Sequence, residues 1–314
     1  GKPIYASKAF SCKEIYRIVL SEGLDVEVVS GGELYTALQA GVPGSQIHFQ
    51  GNNKSVGELT MAIENGVGDI VVDNREELER LETIAMEHNM VAPVSFRIKP
   101  GIDAHTHEFI RTGQIDSKFG LDLASGEAMD ALRRAQQLEH IVVKGLHCHI
   151  GSQILEKAPF VHAAEVMLQF FAKIRDELGM TLETLNLGGG FGIHYTEQDD
   201  AIPYEEYMGD VSAMVHSKCQ ELGLQLPRIY IEPGRSIVGE AGVTLYTVGS
   251  IKEIPGVRNY VAIDGGMFDN PRYALYQSSY TCLLANKASQ PADYVATIAG
   301  KCCESGDLIQ EHTL

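Results

Sequence analysis

Tryptophan, cysteine and long apolar runs are scarce in this sequence. It has no tryptophan and six cysteines, which are scattered without a CxxC pair. A chain of 314 residues can bury a core without disulfides, so we expect reduced thiols and a cytoplasmic protein. No apolar run approaches the roughly 18–20 residues of a membrane span, and the amino terminus has no signal-peptide pattern. We therefore expect no membrane partner.

Positive charge is also scarce. The 25 lysine and arginine residues are outnumbered by 42 aspartates and glutamates, which gives a net charge of −17. Such a chain is poorly suited to bind nucleic acid or an anionic membrane surface. Apolar residues make up 44% and charged residues 21%, which is typical of a globular protein. We therefore expect a small-molecule partner and no nucleic acid.

Strand-like runs alternate with helical patterns through most of the chain. Such alternation predicts parallel βαβ units, and eight of them predict a closed (β/α)8 TIM barrel over residues 1–238. The alternative is an open doubly wound sheet, but no upstream segment resembles its GxGxxG turn. The eight predicted strands are Pro3–Ala6, Val26–Val29, Gln46–Phe49, Asp69–Val72, Pro93–Ile98, Val142–Leu146, Thr184–Leu187 and Arg228–Ile231.

The pattern changes after the barrel. Val243–Ile251, Tyr260–Ile263 and Tyr294–Ile298 are strand-like, with no helical pattern between them. Residues 239–314 are therefore predicted to form part of a C-terminal all-β domain.

Two of the predicted strands end in glycine-bearing loops. Gly188, Gly189 and Gly190 follow the seventh strand, and Glu232-Pro233-Gly234-Arg235 follows the eighth. Loops after these two strands form the phosphate site of many TIM barrels, where bare backbone N–H groups hold the anion. Other strand ends carry Lys8, Ser30, Arg97 and His149, which the barrel would gather at one face.

Lys8 and His149 each allow more than one interpretation. A lysine in a partly dry site can have a lowered pKa and act as a covalent amine, although a lone lysine is more often solvated. His147 and His149 could form a metal pair, because alternate residues of a strand face the same side. A third ligand is not obvious, since His105 and His107 lie in a polar loop with no HExxH-like pattern. We favour His149 as a ring that stacks on a planar cofactor, His147 as a hydrogen-bonded histidine, and no metal.

Five segments in order carry a family resemblance. They are Tyr5-Ala6-Ser7-Lys8-Ala9, His149-Ile150-Gly151-Ser152-Gln153, Gly188 to Gly192, Glu232-Pro233-Gly234-Arg235 and Cys303-Glu304-Ser305-Gly306-Asp307. Together they resemble the diaminopimelate decarboxylases, which belong to the alanine-racemase-like, fold-type III pyridoxal-phosphate enzymes. Asp116 to Gly120, Asp264 to Met267 and Asn270-Pro271-Arg272 also fit that family.

The resemblance implies a cofactor, pyridoxal 5'-phosphate, and roles for individual residues. Lys8 would bind the cofactor covalently, His149 would stack on its ring, and Glu232 would pair with its ring nitrogen. Residues at the phosphate would be Ser152, Gly188, Gly189, Gly190, Gly234 and Arg235. Arg235, Arg272 and Tyr276 would bind the substrate carboxylates, Glu304 would bind the distal ammonium, and Cys303 would be the proton donor. The resemblance also implies a homodimer, in which Cys303 and Glu304 of one subunit complete the active site of the other.

The implied reaction is decarboxylation of meso-2,6-diaminopimelate at its D-centre, giving L-lysine and CO₂ in the last step of lysine biosynthesis. Alternatives are a related decarboxylase of ornithine, lysine, arginine or carboxynorspermidine, an amino-acid racemase, and a non-catalytic homologue. The sequence departs from the family pattern at Glu27, where aspartate is usual, and at Tyr273. It also lacks the family's segment before the lysine strand and its downstream tyrosine, so we expect an incomplete β domain.

Overall fold

Eight parallel strands close into a barrel in the computed structural model, which describes residues 1–102 and 117–314. The strands of the ring pair in the order β1–β2–β3–β4–β5–β7–β8–β9, and β9 returns to β1. The short strand β6 lies outside the ring, beside β5. The strands are β1 (Lys2–Ala6), β2 (Asp25–Val28), β3 (Ile47–Phe49), β4 (Asp69–Val72), β5 (Ala92–Lys99), β6 (Leu121–Asp122), β7 (Ile141–Cys148), β8 (Thr184–Asn186) and β9 (Arg228–Ile231).

The closed ring confirms the predicted TIM barrel and excludes the open sheet. Each of the eight predicted strands overlaps one strand of the ring, whereas β6 and α5 were not predicted. The helices of this part are α1 (Lys13–Ser21), α2 (Gly31–Ala40), α3 (Val56–Glu64), α4 (Arg75–Glu87), α5 (Glu127–Ala135), α6 (Ala158–Leu178), α7 (Tyr204–Leu222) and α8 (Arg235–Val238).

Three of the helices begin at side-chain caps in the loops that follow β2, β3 and β4. Ser30 and Asn74 accept hydrogen bonds from backbone N–H groups in the first turns of α2 and α4. Ser55 and Glu58 form a reciprocal capping box at α3. These caps fix where each strand-to-helix loop ends, and so hold the loops that carry the site.

The apolar core lies between the strands and the helices, while the barrel interior is polar. In β2, Val26 and Val28 belong to the apolar core, and the alternate residues Asp25 and Glu27 are buried polar groups. The same alternation places His48, Asp69, Arg97, His147, Asn186 and Glu232 among the buried polar residues.

A second compact unit contains a four-stranded sheet. Unit 1 comprises Gly1–Ile193 and Ala201–Ala241, and unit 2 comprises His194–Asp200 and Gly242–Leu314. The sheet order is β10-β11-β12-β13, with only β11 and β12 parallel. Its elements are β10 (Val248–Ile254), β11 (Arg258–Ile263), α9 (Arg272–Tyr276), β12 (Ala296–Ala299) and β13 (Leu308–Thr313).

The three predicted strands of unit 2 are present, whereas the fourth strand, β13, was not predicted and two further details differ. The first begins at Val248 instead of Val243, and the prediction of no helix was wrong because of α9. Five residues are too few to show a helical period, and Pro271 at the helix start reads locally as a turn. In the described ranges, we find no helix whose length and apolar content would let it cross a membrane.

Candidate active site

Glu232 lies one residue beyond β9 and is held by three side chains from other strands. Its Oε1 accepts hydrogen bonds from Gln50 and from Asn186, the latter at 2.7 Å. Its Oε2 lies 3.2 Å from Nε2 of His147. All four residues are buried. The carboxylate is thus fixed inside the barrel, with two donors on one oxygen and one donor on the other.

This network keeps Glu232 ionised. Burial alone would raise the pKa of Glu232, but its interactions with His147 and Lys8 outweigh burial and lower the pKa to about 2. Burial lowers the pKa of His147, whereas the charge of Glu232 and the hydrogen bond between the two groups act to raise it. The Nε2–H group of His147 donates that hydrogen bond to the carboxylate. A buried, permanently charged carboxylate is costly to hold, which is typical of a functional group.

Lys8 follows β1 in a 3-10 turn (Ser7–Ala9) and forms an ion pair with Glu27. The distance from Lys8 Nζ to Glu27 Oε1 is 3.1 Å, and the lysine side chain is 52% exposed. Partial burial disfavours the charged form of Lys8, but the negative charges of Glu27 and Glu232 outweigh this effect and raise the pKa of Lys8. The sequence-based expectation that the pKa of Lys8 is lowered is therefore wrong, because Lys8 lies near two carboxylates in addition to being partly buried.

Glu27 has the opposite perturbation. It is fully buried in β2, and its Oε2 has no hydrogen-bond partner among the described residues. Burial raises the pKa of Glu27 to about 7, even though Lys8 acts to lower it. The position at which the sequence departs from its family thus bears a carboxyl that titrates near neutral pH.

Arg97 adds a buried cation to the same interior. Its guanidinium carbon lies 4.3 Å from the centroid of the Phe119 ring, and its Nε lies 4.0 Å from Asp73. Burial lowers the pKa of Arg97, although the charges of Asp73, Glu232 and Glu27 act against that. Arginine remains charged even so. The barrel interior therefore contains a buried cation close to several carboxylates.

The glycine loop packs tightly against its neighbours, which explains its composition. A Cβ at Gly188 would lie 2.9 Å from Nδ1 of His149, and a Cβ at Gly190 would lie 2.1 Å from the carbonyl oxygen of Gly151. At Gly189 it would lie 2.1 Å from the carbonyl oxygen of Glu232. Gly188 and Gly190 also have φ values of +72° and +102°. Only glycine allows these loops to meet.

His149 and Ser152 lie on the loop after β7, beside the glycine loop. Gly189 N donates to His149 Nδ1 at 3.2 Å, and Arg235 Nη2 donates to Ser152 Oγ at 2.9 Å. Burial, reinforced by the positive charges of Lys8 and Arg97, lowers the pKa of His149 well below its usual value. A neutral imidazole ring is suited to stack on a planar group.

The remaining predicted site residues belong to unit 2. Arg272 and Tyr276 are the first and last residues of α9. Cys303 and Glu304 are exposed in the loop between β12 and β13. That loop is organised by the buried Asp307, whose carboxylate accepts from the backbone N–H groups of Met267 at 2.6 Å and Cys302 at 2.7 Å.

The barrel places Lys8, His149, Ser152, Gly188 to Gly190, Glu232, Gly234 and Arg235 at or just beyond the ends of its strands, and their roles at a cofactor remain a prediction. Gln50, Asn186 and Glu27 complete this arrangement and were not predicted as site residues. Gln50 follows β3 directly, and that position was the available signal for it. His105 and His107 lie outside the described residues. Within those that are described, no three metal-ligating side chains are grouped to hold a metal ion.

Comparison with known proteins shows the class of enzyme to which this chain belongs. Residues 1–239 match the family model for the pyridoxal-binding domain of the pyridoxal-dependent decarboxylases. A diaminopimelate decarboxylase of Bacillus methanolicus is 52% identical over 305 residues, which cover 97% of this chain and 71% of the relative. The Mycobacterium tuberculosis enzyme of the same name is 44% identical over 317 residues, covering 98% and 71%.

Solved structures agree with these relatives. The diaminopimelate decarboxylase of M. jannaschii in complex with L-lysine has a TM-score of 0.88 at 36% identity, covering 99% of this chain and 70% of that one. The Helicobacter pylori enzyme with L-lysine also has a TM-score of 0.88, at 30% identity, covering 100% and 75%. The chain belongs to the diaminopimelate decarboxylase family, and its cofactor is pyridoxal phosphate.

Proposed function

We propose that this chain catalyses decarboxylation of meso-2,6-diaminopimelate at its D-centre, giving L-lysine and CO₂. The observation that carries the proposal is Glu232, a buried carboxylate with a pKa of about 2 that shares the barrel interior with Lys8. An enzyme that must hold a pyridine ring nitrogen in its protonated form needs such an anion. This reaction is the last step of lysine biosynthesis.

The described residues fit pyridoxal phosphate. Oε2 of Glu232 receives one hydrogen bond, so a carboxylate lone pair is left for a protonated ring nitrogen. Lys8 offers the amine for covalent attachment, and the neutral His149 offers a flat ring. Ser152, Gly188, Gly189, Gly190, Gly234 and Arg235 would hold the phosphate, with backbone N–H groups, a hydroxyl and a guanidinium as donors.

Bound pyridoxal phosphate supplies an electron sink for the electron pair that remains when the carboxylate departs as CO₂. Glu232 supports that sink by keeping the ring nitrogen protonated. Cys303 donates the proton that replaces the lost carboxylate on the reacting carbon. Arg235, Arg272 and Tyr276 bind the carboxylates of the substrate, and Glu304 binds its distal ammonium.

The proposal includes a homodimer with shared sites, in which Cys303 and Glu304 act in the site of the other subunit. Their exposure in the loop between β12 and β13 supports this, because a proton donor to another subunit must be accessible. All six cysteines are free thiols, which supports a cytoplasmic, reducing location.

The test is CO₂ release from meso-diaminopimelate, L-lysine and L-ornithine in the presence of pyridoxal phosphate, with Lys8→Ala as the control. Release from meso-diaminopimelate alone, lost in Lys8→Ala, is the expected result. Release from lysine or ornithine instead would assign the chain to a related decarboxylase. Cofactor binding without CO₂ release from any of the three would leave a non-catalytic homologue.

A further inference from the structure

The guanidinium of Arg272 lies against two aromatic rings. Its guanidinium carbon lies 3.6 Å from the centroid of the Tyr195 ring and 5.3 Å from that of Tyr280. The two rings meet edge to face, with centroids 5.8 Å apart and an interplanar angle of 83°. We call these three residues the aromatic clamp. Across residues 1–102 and 117–314, the Arg272 side chain forms no hydrogen bond or ion pair, and its Nη1 is buried without a partner. Burial opposes the charge of Asp199, but hydrogen bonds from Thr196 and Tyr195, with the charge of Arg272 as a smaller cause, lower the pKa of that carboxyl.

Both rings of the aromatic clamp are themselves firmly anchored. The carboxylate of Asp199 accepts from Tyr195 N at 3.0 Å, and Thr281 Oγ1 donates to the Tyr195 carbonyl at 2.9 Å. Tyr280 donates its hydroxyl to Asn270 at 2.9 Å, and its backbone N–H donates to Gln310 at 2.7 Å. The rings are therefore placed by the fold, and the guanidinium is placed by the rings.

Stacking has a chemical consequence for a cation that must recognise a carboxylate. A ring against the face of a guanidinium restrains the side chain without using its N–H groups, which lie in the guanidinium plane. An ion pair would restrain the side chain equally well, but it would occupy the donors that a carboxylate needs. The aromatic clamp thus fixes the direction of the Arg272 guanidinium without using its N–H groups.

We propose that Tyr195, packed edge to face against Tyr280, is a positioning residue that aligns Arg272 for the carboxylate of the substrate's non-reacting centre. This rests on the proposed function, in which Arg272 binds a substrate carboxylate. Tyr195 lies between β8 and α7 in the sequence but folds with unit 2, and this placement brings it to Arg272.

The test compares ligands with and without the carboxylate that Arg272 would bind. L-lysine retains that carboxylate, and cadaverine is the same skeleton without it. In Tyr195→Leu, we expect the KM for meso-diaminopimelate and the inhibition constant of L-lysine to rise by about 5- to 30-fold, with kcat within about twofold. This corresponds to about 1–2 kcal/mol, the range for a cation–π contact with reduced exposure to water. The inhibition constant of cadaverine should be unchanged.

Two further variants separate the possible failures. Tyr195→Phe keeps the ring and should keep wild-type constants, whereas Arg272→Ala should raise the same two constants at least as much as Tyr195→Leu. If Arg272→Ala raises them and Tyr195→Leu does not, the clamp is refuted and the role of Arg272 stands. If neither variant changes them, both the clamp and the role of Arg272 fail. An equal loss for cadaverine in a Tyr195→Leu protein would show general disruption and would also refute the clamp.

Discussion

Replacing Glu232 by glutamine should abolish most activity and leave the fold intact. In the protein, Glu232 Oε1 accepts from Gln50 and Asn186, and Oε2 accepts from His147. Glutamine keeps one oxygen for the two amide donors and places its NH₂ group at the Oε2 position. His147 can then change from donor to acceptor, because its Nδ1 has no partner among the described residues and is able to carry the proton.

The hydrogen bonds of the network therefore survive the substitution, but its charge does not. We expect the free energy of unfolding to change by no more than about 1–2 kcal/mol, the range for one exchanged buried hydrogen bond. The cofactor nitrogen would face an NH₂ donor in place of an anion. We expect kcat to fall by about 100- to 1,000-fold, as when one preorganised electrostatic contact is removed from an active site.

The assay is CO₂ release from meso-diaminopimelate by cofactor-loaded protein, together with urea unfolding of the same samples. Glu183→Gln is the matched control, because it removes one carboxylate from a side chain of unit 1 that is 68% exposed. It should leave kcat and the unfolding midpoint unchanged. A Glu232→Gln protein with kcat within threefold of the wild type would refute the argument that the buried anion drives the reaction. An unfolded variant would refute the argument from the His147 proton.

Three further predictions concern pH and the backbone. Burial gives Glu27 a pKa of about 7 against an ordinary 4.5, so the folded state binds a proton that the unfolded state releases, and stability falls as pH rises between these values. Urea midpoints should show this slope in the wild type and not in Glu27→Gln; identical slopes would contradict it. Burial opposes the charge of His48, but Asp25 and Asp69 raise its pKa from 6.5 to about 9, so their contribution is complete below pH 6.5 and is lost as pH rises through 9. In thermal melts from pH 6 to 10, the Tm of His48→Gln should lack this pH-dependent contribution. A pH profile identical to that of the wild type would contradict the interaction of His48 with the two aspartates. Gly190→Ala should lower the Tm by several degrees or more, because its Cβ would lie 2.1 Å from a carbonyl oxygen at a φ of +102°. Gly57→Ala in α3, with no atom within 4 Å, should be neutral or stabilise by up to about 1 kcal/mol, and equal melts for both would argue against the clash.

The barrel was predictable because its signals are local. Each strand is a short run of apolar and β-branched residues, and Ser30, Ser55 and Asn74 show where the following helices begin. The positions of Lys8 and Glu232 at one face were predictable because the strand ends of a parallel barrel meet there. Their roles at a cofactor came from the family resemblance and stay a prediction.

Their partners were not predictable in the same way. Gln50 and Glu232 are 182 positions apart in the chain, and Lys8, just after β1, is 19 positions from Glu27 in β2. Such contacts depend on the closure of the ring and on register, which no local pattern specifies. The direction of the Lys8 pKa shift was wrong for this reason, because it depends on the two carboxylates that closure brings near.

Loss of the hydrogen bonds to Glu232 and loss of the ring contacts of Arg272 should affect different kinetic constants. Within unit 1, Glu232 accepts hydrogen bonds from β7, from β8 and from Gln50 after β3, so a substitution there would remove charge or geometry that the proposed chemical step requires and should appear in kcat. In unit 2, the Arg272 guanidinium lies against ring faces, and in the proposed function its N–H groups bind a substrate carboxylate before and during the reaction. Loss of that restraint weakens ground state and transition state alike, which raises KM and spares kcat. On this proposal, Tyr195 and Tyr280 would affect how strongly the substrate is bound, whereas Glu232 would affect the rate of the chemical step.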